Sequence, residues 1–118
     1  MTDETARARP STMLLALASM ACRPSAPRLG TDELASHIAT LADWKLAGDR
    51  LEKTYSFANY YETMAFVNAL AWICHREDHH PDLQVGYNRC VVQFSTHSAG
   101  GVSLNDVICA AKAERLFA

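Results

Sequence analysis

The stretch His75–Asp106, HREDHHPDLQVGYNRCVVQFSTHSAGGVSLND, decides how this chain is read. It opens on the end of an apolar run with helical spacing, and Pro81 stops that run because a residue before proline is pushed out of the α region. His79 and His80 are therefore expected at the frayed C-terminal end of a helix. Beyond them, Leu83 to Tyr87 and Cys90 to Thr96 flank a turn at Asn88-Arg89, and Cys90, Val92 and Phe94 alternate with Val91, Gln93 and Ser95. Alternation with a period of two marks a hairpin with one face on a core. His97 falls at the exit of the second strand, and Gly100-Gly101 provides a flexible link. Ser103 with Asp106 three residues later then forms a capping box for a last helix with an inner face of Val107, Ile108, Ala111 and Leu116.

Upstream, the long helix runs from about Asn59 to Glu77. Tyr60, Tyr61, Met64, Val67, Leu70, Ala71 and Cys74 are among its apolar residues, while Phe66, Trp72 and Ile73 point elsewhere. That is more apolar surface than one sheet covers, so either a subunit interface or crowded packing against other helices is expected. Before it, Trp44 and Leu46, a turn at Gly48-Asp49, and Leu51, Tyr55 and Phe57 give another hairpin. A first helix is expected from Thr31, whose hydroxyl can cap it, with Asp32 and Glu33 in the first turn and Leu34, Ile38 and Leu41 on one face. The order α-β-β-α-β-β-α predicts an α+β fold, a four-stranded antiparallel sheet with helices packed on one face.

The chain has 118 residues, enough for one domain with a moderate core. Its net charge of -2 gives no general attraction for phosphate backbones, so nucleic acid is not an expected partner. Cys22, Cys74, Cys90 and Cys109 are far apart and form no CxxC pair, which reads as free thiols in a reducing compartment. Residues 1–30 differ in composition from residues 31–118, with Arg7, Arg9, Arg23 and Arg28 set among Ala, Ser, Pro, Met and Leu. They do not look like core and read as an N-terminal extension, disordered, loosely docked, or a targeting segment. The apolar run Met13–Cys22 is too short for a bilayer, which takes about 20 apolar residues, and Asp3 and Glu4 count against a transit peptide. A cytoplasmic location is expected, with a mitochondrial or other organelle as the alternative that residues 1–30 leave open.

Four of the five histidines lie in the opening stretch. Imidazole titrates closest to neutrality, so clustering several points first to proton transfer. His75 and His79 are four apart and share a helix face. His97 and Asp106 must be brought in by the fold. Each has a plainer reading: His75 as a surface residue, His79 and His80 as groups that suit a helix C-terminus, His97 as a strand end, Asp106 as a cap. Asp78 adjoins His79 and is the better candidate of the pair Glu77 and Asp78. His75, His79 and His97 also suit a zinc ion, but there is no HExxH and no cysteine pair beside them, so no metal is expected. The chain carries no GxSxG elbow, Walker loop or dinucleotide fingerprint.

The spacing His75, three residues, His79-His80-Pro81, five residues, Tyr87, nine residues, His97, eight residues, Asp106 resembles that of the pterin-4a-carbinolamine dehydratase family. Phe57, Tyr60 and Phe66 stand where that family carries aromatics, and the resemblance covers about Thr31 to Phe117. It implies a homodimer or homotetramer that removes water from 4a-hydroxytetrahydropterin, giving quinonoid dihydropterin, with no cofactor. The implied setting is tetrahydrobiopterin recycling after an aromatic amino acid hydroxylase. It also implies that His79, His80 and His97 are the acid/base and pterin-contacting groups, supported by His75, Asp78, Pro81 and Asp106. Three positions depart from the pattern: His75 where an acidic residue is common, Leu83 where tryptophan is frequent, and Asn105 where arginine often precedes the final aspartate. Some members of the family act instead as dimerisation or assembly cofactors for other proteins, which is the alternative function.

Overall fold

The computed structural model describes residues 11–117. Strands β1 (Lys45–Ala47), β2 (Arg50–Ser56), β3 (Asp82–Val85) and β4 (Arg89–Phe94) form one antiparallel sheet in the order β1-β2-β4-β3. Helices α1 (Thr12–Ala18), α2 (Thr31–Ile38), α3 (Tyr60–Glu77) and α4 (Leu104–Arg115) complete it, with a 3-10 turn at His97–Ala99 between β4 and α4. The expected four-stranded α+β architecture is therefore present.

The register explains which face is covered. Leu51 pairs with Phe94, Lys53 with Val92 and Tyr55 with Cys90, so these side chains share a face, and all but Lys53 are buried in the core. Helix α3 contributes Phe66, Leu70 and Cys74 to the same core. Helix α4 adds Val107, Cys109, Ala110, Ala111 and Ala113, whose small side chains let it pack closely. On the opposite face Glu52 pairs with Gln93 and Gln93 with Asp82, a polar ladder in which Arg50 donates to Asp82 and Gln93. At the far end of α4 the Glu114 carboxylate accepts from Trp44, Lys53 and Tyr55, and burial, then Glu114, pushes the Tyr55 hydroxyl far above its usual range. All four cysteines are free, and burial pushes Cys74 up to about 11.

Several local expectations need correction. The long helix spans Tyr60–Glu77, with the expected C-terminal bound, but Pro81 is not what stops it. It ends at Glu77 because Asp78 takes the left-handed conformation (φ 53°, ψ 43°), with Asp78 N–H on the His75 carbonyl at 3.2 Å and His79 N–H on the Cys74 carbonyl at 3.1 Å. That pair of bonds is a Schellman ending, which sends His79 and His80 out of the helix rather than leaving them frayed upon it. Gly30, not Thr31, is the N-cap of α2, and no side chain caps it. Leu116 lies beyond α4 and is 38% exposed instead of facing inward. By contrast the capping box at Ser103 and Asp106 forms in full.

The largest correction concerns residues 11–30, which are mostly exposed but dock on the domain and bury Leu14, Leu17 and Ala26. Leu14 and Leu17, three apart on one face of α1, are both buried with the residues of α4. The chain then crosses the ends of α3 and α4, and Leu29 N–H donates to the Val102 carbonyl at 2.9 Å. Asp3, Glu4, Arg7 and Arg9, which bear on a targeting role, lie outside the described residues.

Candidate active site

Two elements that end close together build the site. The Schellman turn delivers His79 and His80 from α3, and β4 delivers Thr96 and His97 just before α4 begins. Thr96 and Gly101 bridge back to back, so residues 97–100 bulge outward with His97 exposed on the first position of the 3-10 turn. His79, His80, His97 and Asp78 line one open cavity of about 760 Å³, together with Thr96 and Asn105.

Behind His79 lies Asp106, fully buried, with its Oδ1 2.5 Å from His79 Nε2. Asp106 Oδ2 accepts from Thr96 Oγ1 at 2.7 Å and from Ser103 N–H at 2.8 Å. Thr96 has only one hydroxyl proton, and Asp106 takes it. The 2.6 Å contact between Thr96 Oγ1 and Ser103 Oγ must then have serine as donor, which frees a serine lone pair for Asn105 N–H at 3.2 Å. Among the described residues no buried side-chain nitrogen or oxygen lacks a partner, and a network so satisfied is rigid. An ionised carboxylate only accepts, so His79 Nε2 carries its proton toward Asp106 and Nδ1 is the nitrogen left with a free lone pair in the neutral ring. The ring also lies nearly parallel to Phe94, 6.1 Å between centroids. Asp106 thus both caps α4 and orients His79.

His80 is exposed and, among the described residues, makes only a long contact, 3.4 Å from Nδ1 to the Pro81 carbonyl. His75 and Pro81 are placed elsewhere: they line a second, more apolar cavity of about 360 Å³ with Leu70, Cys74 and Leu83, which also reaches Asp78, His79 and His80. His75 packs against Trp72, ring to ring at 5.5 Å, on the exposed side of α3. The arrangement of His75, His79 and His97 as metal ligands is not assembled, and among the described residues no group of three or more His, Cys, Asp or Glu is placed to hold a metal ion.

Sequence reasoning missed residues on the near wall. Cys22 N–H donates to Glu77 Oε1 at 2.8 Å, and Arg23 is tied to the Asn105 side chain. Glu77 is partly desolvated, which alone would raise its pKa, but the Cys22 N–H and Lys112 outweigh this and hold the carboxyl below its usual range. No local signal in residues 20–24 announces these contacts.

The fold and cavity define an α+β protein with an open pocket lined by three histidines. The chain belongs to the pterin 4 alpha carbinolamine dehydratase family, whose model matches residues 27–116, and it is accordingly an enzyme of the hydro-lyase class. It is 62% identical over 96 residues to a protein of Chromobacterium violaceum that bears the provisional name pterin-4-alpha-carbinolamine dehydratase, covering 77% of this chain and 89% of that one. A protein of the same provisional name from Nitrosospira multiformis is 52% identical over 104 residues, covering 86% and 92%. Among solved structures, a transcriptional coactivator/pterin dehydratase from Brucella melitensis superposes with a TM-score of 0.73 at 26% identity, over 75% of this chain and 97% of that one. A pterin dehydratase-like protein identified as a RuBisCO assembly factor in the alpha-carboxysome gives a TM-score of 0.52 at 22% identity, over 62% and 84%, a likeness of fold alone.

Proposed function

We propose that the chain dehydrates 4a-hydroxytetrahydropterin to quinonoid dihydropterin and water, with His79, His80 and His97 as the acid/base groups. The observation that carries this reading is the His79–Asp106 pair at 2.5 Å, on the wall of a cavity that His80 and His97 also line. With Nε2–H held by Asp106, neutral His79 presents Nδ1 as the base for the N5 proton, and the buried carboxylate stabilises the imidazolium that results. A protonated His80 or His97 gives its proton to the departing hydroxyl. The C4a–O bond breaks, C4a and N5 become doubly bonded, and water leaves. The histidines exchange the net proton through solvent, and no metal or cofactor enters the step. Asp78 and Pro81 shape the turn that carries His79 and His80, and His75 borders the apolar side of the site.

The proposed setting is tetrahydrobiopterin recycling in the cytoplasm, downstream of an aromatic amino acid hydroxylase. Among the described residues no helix is long and apolar enough to cross a membrane. Tyr61 and Trp72 on α3 are 81% and 62% exposed, which suits a face used by further copies in a homodimer or homotetramer. A non-catalytic assembly role would use the same face but would give no reason for Asp106, beyond its capping role, to hold His79 beside His80 and His97 on one cavity. The test is the double variant His80→Ala with His97→Ala, both at exposed positions. Dehydration should fall at least a hundredfold with an unchanged circular dichroism spectrum. Near-normal turnover would remove the histidines from the mechanism.

A further inference from the structure

The segment that crosses from α1 to α2 touches both elements that hold the His79–Asp106 pair. Cys22 N–H binds Glu77, two residues before His79, and Arg23 binds Asn105, one residue before Asp106. The second tie is double: Arg23 N–H donates to Asn105 Oδ1 at 3.0 Å, and Asn105 Nδ2 donates back to the Arg23 carbonyl at 2.7 Å. Asn105 is only 6% exposed, so its amide is committed to this backbone. Lys112 adds a third anchor, donating to the Ala18 carbonyl at 2.8 Å while lying 3.6 Å from Glu77. A backbone fixed at both hydrogen-bonding groups of one residue has little freedom left, and Arg23 is that residue.

Cys22, Arg23 and Pro24 are part of the wall of the cavity lined by the three histidines. Two arginines line that cavity. Arg50 is engaged, 2.6 Å from Asp82 and 3.0 Å from Gln93. Among the described residues, Arg23 has no carboxylate within ion-pair distance and its guanidinium makes no hydrogen bond. An arginine with its backbone clamped and its head group unengaged, beside an acid/base pocket, is suited to a planar ligand with acceptor atoms along one edge.

We infer that Arg23 is a substrate-contacting, specificity-determining residue, donating to the pyrimidinone carbonyl edge of the pterin while the histidines act on C4a and N5. The inference rests on the pterin reading above. It makes the segment before α2 a wall of the active site, and Asn105 the positioning residue that presents Arg23.

The test uses the full chain with Arg23→Gln and Arg23→Lys, two readouts, and 7,8-dihydrobiopterin as a stable probe. Arg23 is exposed, so neither change disturbs packing. Arg23→Gln should raise KM for the carbinolamine about tenfold while kcat falls less than threefold, and should weaken dihydrobiopterin binding by about the same factor. Arg23→Lys should recover part of the loss, since it keeps the charge and loses the fork. Asn105→Ala should raise KM similarly, and adding it to Arg23→Gln should cost little more, because both break one contact. If the wild-type chain binds dihydrobiopterin but does not dehydrate, the catalytic reading fails, and a tenfold weaker binding by Arg23→Gln still upholds the inference. Dihydrobiopterin affinity unchanged in Arg23→Gln overturns it, whatever the activity. A wild-type chain that binds no pterin overturns both.

Discussion

Asp106 Oδ1 lies 2.5 Å from His79 Nε2, while Oδ2 of the same carboxylate closes the capping box of α4 through Ser103 N–H. The sequence motif that starts a helix and the group that sets a histidine tautomer are one side chain. Asp106→Asn separates the two roles. Its amide oxygen can still accept from Ser103 and Thr96, but its NH2 then faces His79 and forces Nε2 to accept, moving the ring proton to Nδ1. Dehydration should fall by about 10²-fold or more through the wrong tautomer. Stability should fall by about 1–2 kcal/mol as hydrogen bonds to a buried carboxylate become neutral ones. Kinetics with urea unfolding reads both, and a variant with full activity would show that the tautomer of His79 is immaterial.

The left-handed turn at Asp78 directs His79 and His80 into the cavity, and a non-glycine residue there carries a conformational cost. Asp78→Ala should destabilise by about 1 kcal/mol, since alanine lacks the local hydrogen bonding that lets aspartate visit this region, whereas Asp78→Gly should be neutral or stabilising. Urea denaturation of the two variants checks the order. Equal stabilities would mean that the turn is not what holds this segment.

Leu14 and Leu17 tie α1 to the core although their segment lies far from it in sequence. Leu14→Ala should cost about 2–3 kcal/mol, the low end of core leucine truncations because α1 lies at the edge of the core. Deleting residues 1–28 should cost more, removing the Cys22, Arg23 and Lys112 ties as well. Thermal unfolding of each is the measurement, and a truncated chain as stable as the full one would contradict the packing of α1.

The pH dependence follows from Glu77. Its carboxyl titrates below its ordinary value because the charged form, despite desolvation, is held by the Cys22 N–H and Lys112. A depressed folded pKa means the unfolded chain binds the proton more readily. The stabilisation is therefore present above the ordinary glutamate range, about 4.3–4.5, and is lost as pH falls through the lower folded value. Glu77→Gln should reduce the fall in melting temperature over that acid window and lower stability at pH 7. Identical pH profiles for wild type and variant would remove Glu77 as the group responsible.

What the sequence revealed and what it hid divide by range. The β4 alternation and the Ser103–Asp106 capping box are local patterns, readable because side-chain period and cap chemistry act within a few residues. The spacing of His79, His80, His97 and Asp106 was legible through its resemblance to a family, but the His79–Asp106 contact spans 27 residues and no local rule specifies it. The helix end near Glu77 was legible, but its cause was not: aspartate signals the left-handed conformation at Asp78 weakly, and Pro81 offered a stronger but misplaced marker. Residues 11–30 were misread because a helix of seven residues with two inward leucines, set among alanine, serine and arginine, has too little periodicity to stand out. Its partners are carbonyls and carboxylates that only the folded chain brings near.

The most direct test of the dehydratase reading is the rate at which the purified full chain speeds loss of the 4a-carbinolamine absorbance, generated in situ by a phenylalanine hydroxylase whose own supply is kept saturating. A metal chelator is added at the dehydration stage. The account predicts acceleration well above the spontaneous rate, insensitive to the chelator and lost in His79→Ala. A folded chain that leaves the spontaneous rate unchanged, or one that His79→Ala leaves fully active, would contradict it.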